Sequence, residues 1–156
     1  QRQMCIRDSP YPDGLAEEWI ATHEDEFIQR KSAIFAVCIK NEEKLIGATG
    51  LMLKPEHDLG ELGYWIGTPY WNHGYCTEAG HAMIAYGFEK LKLNKIIAHL
   101  FAGNIASQKV LEKLGMKQES YLRQHVKHFG VYKDLVGFAI LREEWKGVRK
   151  VIRSEN

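Results

Sequence analysis

The run from Glu61 to Phe101 constrains the fold most. "ELGYWIG" is short, apolar and rich in β-formers, and reads as a strand. From Gly74 or Tyr75 to about Leu91 the spacing turns helical, with Ala79, Met83, Tyr86 and Phe88 mostly inward. "KIIAHLF" then reads as a second strand. Strand, helix, strand in that order predicts a βαβ crossover, which places the two strands parallel in one sheet.

The flanking segments predict a different kind of sheet. "AIFAVCIK" and "KLIGATGLMLK" read as strands joined at "NEE", a hairpin. "PEHDLG" is a loop. Downstream, "GNIASQKVLEKLG" reads as a short helix with a glycine stop after Leu114. "MKQESYLRQHVKHFG" and "VYKDLVGFAILREEW" read as antiparallel strands around a turn near Gly130. Near the start, "SPYPDG" is a turn or helix entrance, and Leu15, Trp19, Ile20, His23 and Phe27 share a helix face that ends near Arg30. The predicted order is α, β, β, β, α, β, α, β, β. It describes a mixed α/β fold with a largely antiparallel sheet, in a single domain over residues 1–156 that ends in a mobile basic tail at 146–156.

Bulk properties narrow the function classes. A chain of 156 residues suffices for one real core, and a formal charge of +1 argues against a dominant nucleic-acid surface. Cys5, Cys38 and Cys76 are odd in number and far apart, with neither a disulfide framework nor a metal spacing. No apolar run approaches about 18 residues. The expectation is a cytoplasmic protein with no metal, no membrane and no nucleic-acid partner.

"YWNHGYCTEA", Tyr70 to Ala79, carries more than a change of direction requires. Gly74 lets backbone approach a bulky ligand without a Cβ clash. First-turn amides of Tyr75, Cys76 and Thr77 would face a phosphate, and the Thr77 hydroxyl would add a donor. A plain helix cap with packed aromatics accounts for the same residues, and the stretch is neither a P-loop nor a dinucleotide fingerprint. Asn104 reads as an N-cap for the next helix, with Ser107 three residues on. It also lies at the C-terminal end of a strand, where α/β ligands collect. Glu61 begins the strand that feeds the glycine turn, and is either an exposed strand-end carboxylate or a base beside a cleft.

The segment "GELGYWIGTPYWNHGYCTEAGHAMIAYGFEKLKLNKIIAHLFAGNIASQKVLEKLGM" closely resembles the GNAT (Gcn5-related N-acetyltransferase) superfamily. Similarity runs from about Tyr11 to Trp145 and is nearest to the ribosomal-protein-alanine N-acetyltransferases, the RimJ/RimL-like branch. The family's pyrophosphate loop has Gln or Arg, two variable residues, Gly, one variable residue, then Gly or Ala. Trp71, Asn72, His73, Gly74, Tyr75 and Cys76 occupy those positions, with Trp71 and Cys76 departing from the pattern. Because that loop works through backbone amides, neither departure should abolish binding.

The resemblance implies acetyl-CoA as cofactor and direct acetyl transfer to a primary amine, without an acyl-enzyme. It implies that the strand before the loop splays from the next one, so that backbone at Tyr64, Trp65, Ile66 and Gly67 meets the pantetheine arm and thioester. Asn104 and Ser107 match cofactor-contacting positions. Glu61 is the candidate base, acting through water, with His57 and His73 as alternatives. An amide near Ile66 is the candidate oxyanion donor, Tyr132 or water the proton source for the leaving thiolate, and Asp134 a holder of the acceptor or of the strand pair. The branch implies a protein N-terminal α-amine as acceptor. The alternatives are a small-molecule amine such as a polyamine, aminoglycoside or metabolite, or a non-catalytic acyl-CoA-binding protein. "QRQMCIRDS" does not match the family's first strand. A partner chain in a homodimer, residues 1–9, or a weakened edge is expected at that position.

Overall fold

The computed structural model describes residues 23–147, apart from 41 and 43. The elements run α1 (His23–Ile28), β1 (Ser32–Ile39), β2 (Lys44–Lys54), β3 (Leu59–Ile66), α2 (Tyr75–Glu89), β4 (Lys95–Phe101), α3 (Ile105–Lys113), β5 (Lys117–His128) and β6 (Val131–Leu141). This is the predicted order; most ends shift by a residue or two, and the last strand stops at Leu141, four residues short, where Arg142–Glu144 forms a turn. The front strand, the helix from Leu15 to residue 22 and the tail from 148 lie outside the described residues.

Among the described residues, six strands form one sheet in the order β1-β2-β3-β4-β6-β5. All neighbours are antiparallel except β3 and β4, which the crossover through α2 makes parallel. The sheet is therefore mostly antiparallel with one parallel seam.

Period-two alternation decides which face is buried. Along β4, Ile96, Ala98 and Leu100 are buried, while Lys95, Ile97, His99 and Phe101 are only partly covered. The buried set joins Leu51 and Leu62 from β2 and β3, and Val136, Phe138 and Ile140 from β6. Met83, Ile84 and Phe88 of α2 and Leu111 of α3 close that core from above. The orphan carbonyls after α2 are met by Arg142, whose Nε donates to Leu93 O at 2.8 Å and whose second guanidinium nitrogen donates to Phe88 O at 2.7 Å. This anchors the lower end of the crossover to the end of β6, and leaves its upper end, the N-terminus of α2, as the free one.

Candidate active site

β3 and β4 pair only from Leu59–Glu61 to Lys95–Ile97. Beyond that rung β3 stays paired to β2 as far as Ile66, and β4 stays paired to β6 as far as Phe101. The two central strands thus part after Glu61 and leave a fork with one unpaired edge on each side. The Gly67 amide donates to Ile46 O at 2.7 Å. Alternation along a strand then turns the amides of Ile66 and Tyr64 the other way, into the fork.

Glu61 stands at the last closed rung. Its Oε1 lies 2.8 Å from His99 Nδ1, with the two side chains 34% and 24% exposed, so the pair is reachable from solvent yet held. On the opposite face of β3, the Tyr64 hydroxyl lies 2.8 Å from Ser107 Oγ, crossing the mouth of the fork to α3. Burial pushes the Tyr64 phenol upward, against the lowering effect of its Ser107 hydrogen bond, so it is a neutral hydroxyl at physiological pH.

Above the fork, the chain turns through Thr68–Tyr70 and enters α2. Trp71 Nε1 donates to Ile66 O at 2.7 Å, so the indole pins the top of β3 to the loop. Asn72 and Gly74 are both left-handed, at φ 64° and 83°. Gly74 caps α2 without any side-chain hydrogen bond, and a Cβ there would meet nothing within 4 Å. The first intrahelical acceptor bond is Glu78 N to Gly74 O at 3.0 Å, which leaves the amides of Tyr75, Cys76 and Thr77 ahead of it. An uncapped entrance with open space in front and the positive end of the helix dipole behind suits a diphosphate. His73 stacks on Tyr75 at the rim, with ring centroids 5.7 Å apart. Burial pushes the Cys76 thiol up to about 12, so it stays protonated at neutral pH and is a poor nucleophile.

Asn104 caps α3: its side chain accepts from Ser107 N at 3.1 Å. Ser107 is itself nearly buried and meets Tyr64 from the other side, so Asn104, Ser107 and Tyr64 form one hydrogen-bonded chain across the fork's mouth. The residues from Tyr64 to Thr77, with Asn104 and Ser107, lie toward the end where β3 and β4 open, and Glu61 stands at the rung where the opening begins.

The side chains of three others make different contacts. Tyr132 is 59% exposed, with Lys127 Nζ 5.6 Å from its ring centre. It lies seven residues along β6 from Ala139, the rung level with Glu61, or roughly 23 Å at the extended rise per residue. Asp134 accepts from Tyr121 Oη at 2.6 Å and from the Gln124 amide at 2.7 Å, which commits both oxygens to the irregular middle of β5. The Tyr121 hydrogen bond, helped by that amide, holds its carboxyl below the usual range. His57 lies in an exposed turn beside Glu56.

His99 was not among the residues singled out. Its signal is a lone histidine at a solvent-side position of "KIIAHLF", two residues beyond the partner of Glu61.

An acetyltransferase (GNAT) domain family model matches residues 1–117, three quarters of the chain. The match takes in the first ten residues, ahead of the segment that carries the resemblance. The uncharacterised N-acetyltransferase p20 of Bacillus licheniformis is 31% identical over 141 residues, covering 89% of this chain and 79% of p20. Two solved structures share the fold: a ribosomal-protein-S5-alanine acetyltransferase of Vibrio fischeri (TM-score 0.77, 23% identity, 90% of this chain and 79% of that one) and a variant of the spermidine N-acetyltransferase SpeG of Vibrio cholerae (TM-score 0.74, 22% identity, 82% and 76%). The two carry names with different acceptors, so the shared fold does not separate them. With the forked sheet and the open helix entrance, these matches establish that the chain belongs to the GNAT acetyltransferase family, and that its reaction is acetyl transfer from acetyl-CoA to an amine.

Proposed function

We propose that the acceptor is the primary amine of a small molecule. The observation that carries this is the place of Glu61: a carboxylate at the last closed rung of the fork, fixed by a side-chain hydrogen bond. A protein α-amine, with a pKa of about 7.7–8.0, is partly neutral at pH 7 and needs little help. An alkylamine near pKa ~10.4 is almost wholly charged, and its deprotonation costs roughly 3–4 kcal/mol more under the same conditions. A carboxylate base beside the fork, acting through water, serves the second kind of acceptor best.

Acetyl-CoA supplies an activated acetyl thioester. The chain's own residues supply position and proton handling. The amides of Tyr75, Cys76 and Thr77 receive the diphosphate, and the inward amides of Tyr64 and Ile66 receive the arm. Of these, the Ile66 amide stands nearest the top of the fork as a donor to developing negative charge. Glu61 takes a proton from the acceptor ammonium through water, which exposes the nitrogen lone pair. Solvent is the proposed source of the proton for the departing sulfur.

Thiol release from acetyl-CoA, screened against polyamines, aminoglycosides, small alkylamines and N-terminal peptides, tests the reading. Faster turnover with a small alkylamine, lost by roughly a hundredfold in Glu61→Gln, is expected. Turnover confined to peptide N-termini would return the acceptor to the α-amine class.

A further inference from the structure

We infer that His99 is a positioning residue for the proton transfer, acting through Glu61; the inference rests on the acetyl-transfer reading above. Glu61 and His99 project from neighbouring strands onto the same face, on opposite sides of the point where β3–β4 pairing ends. Backbone hydrogen bonds hold the strands together up to that rung. Immediately beyond it, the 2.8 Å Nδ1–Oε1 contact is the side-chain link between them.

The tautomer follows from the partner. A carboxylate only accepts, so Nδ1 carries the proton and donates it to Oε1. Oε1 is thereby occupied and the carboxylate is held in one rotamer, with Oε2 left to take the acceptor's proton through water. In the transfer, an N–H bond of the ammonium breaks, a bridging water takes that proton and gives up one of its own, and an O–H bond forms at Oε2. The nitrogen keeps the electron pair, the carboxylate becomes neutral, and the ring keeps its Nδ1 proton throughout.

The bed beneath the ring is built for this orientation. Gly137 of β6 is level with His99. A Cβ at Gly137 would lie 3.3 and 3.4 Å from the imidazole Cδ2 and Nε2, and 2.3 Å from Ser120 Oγ of β5. The absence of a side chain there lets the ring lie over β6 and direct Nδ1 back to β3. A Glu61 that is 34% exposed and has lost this donor is free to turn into solvent.

Three substitutions separate positioning from packing. Asn places an amide donor near the former Nδ1, Gln places one near the former Nε2, and Leu keeps the volume without a donor. With the best amine of the screen, His99→Leu and His99→Gln should each lower kcat by about tenfold, the worth of one well-made hydrogen bond to a charged group. His99→Asn should recover most of that loss. Affinity for coenzyme A, measured by calorimetry on each variant, should not move, and it reports folding at the same time. In the Glu61→Gln background, His99→Gln should cost nothing further, because one residue acts through the other.

Wild-type rates in His99→Gln would overturn the inference, as would a His99→Asn slower than His99→Leu, which is the order packing predicts. Additive losses in the double variant would overturn it too. These results leave acetyl transfer standing. A wild-type protein that binds coenzyme A and acetylates no amine would instead remove the proposed function, and this role with it.

Discussion

The two edges of β4 behave in opposite ways. Against β6 it is paired along seven residues, Lys95 to Phe101; against β3 it is paired along three. The same strand therefore closes the core on one side and opens a slot on the other. On the closed side, pairing continues over buried Ala98, Leu100, Val136 and Phe138, and alternate rungs add apolar contact to the core. On the open side, the strands part where Tyr64 and Ser107 meet on one face and Glu61 meets His99 on the other. Polar side chains bridge the place where backbone pairing has stopped. Stability is concentrated at the first edge and chemistry at the second, and substitutions should separate them.

The largest effect is expected on the closed side. Phe138→Ala removes a ring that is only 3% exposed and should cost about 3–5 kcal/mol of stability, read by denaturant unfolding. Glu61→Gln, at the edge of the fork, should leave that midpoint within about 0.5 kcal/mol while lowering turnover. A matching loss of stability in both variants would erase the contrast.

Next in size is the helix entrance. Gly74 is left-handed, so Gly74→Val strains the backbone as well as crowding the opening. Gly74→Asn is the cleaner probe, because Asn tolerates this region better while adding a side chain where space is now open. It should weaken coenzyme A binding by about tenfold, or ~1.4 kcal/mol, in calorimetry. Unchanged affinity would move the diphosphate away from α2. A smaller loss, a few-fold, is expected for Trp71→Phe, which deletes the indole donor to Ile66 O and loosens the top of the fork.

The smallest effect concerns the β5–β6 hairpin. The Asp134 carboxyl is held below its usual range by Tyr121 and the Gln124 amide. Its folded pKa is thus the lower one. Its contribution is complete above the ordinary Asp range near pH 4 and is lost as pH falls through the folded value. Amide exchange in β5 around Gln124 should rise selectively below pH 4. Asp134→Ala should show that faster exchange already at pH 7, with turnover unchanged if the carboxylate serves only the strand pair.

The strands and helices were legible because periodicity reports burial directly. "KIIAHLF" is a short apolar run rich in β-formers, and β4 buries every second residue. The glycine turn and the Asn104 cap were legible because each has a local mechanism. The length of pairing between β3 and β4 was not, since register depends on how two distant segments meet. His99 went unnoticed for that reason: its meaning comes from Glu61, thirty-eight residues away. The double hydrogen bond to Asp134 depends on the irregular register of β5, where Leu122 to Val126 breaks the ladder. No local pattern announces such a shift.

Residue-resolved amide exchange with and without coenzyme A tests the central claim most directly. The account predicts new protection at Tyr64 and Ile66 in the fork and at Tyr75 to Thr77 at the helix entrance, with β4–β6 amides unchanged. Protection that appears elsewhere while those amides exchange as before would contradict it.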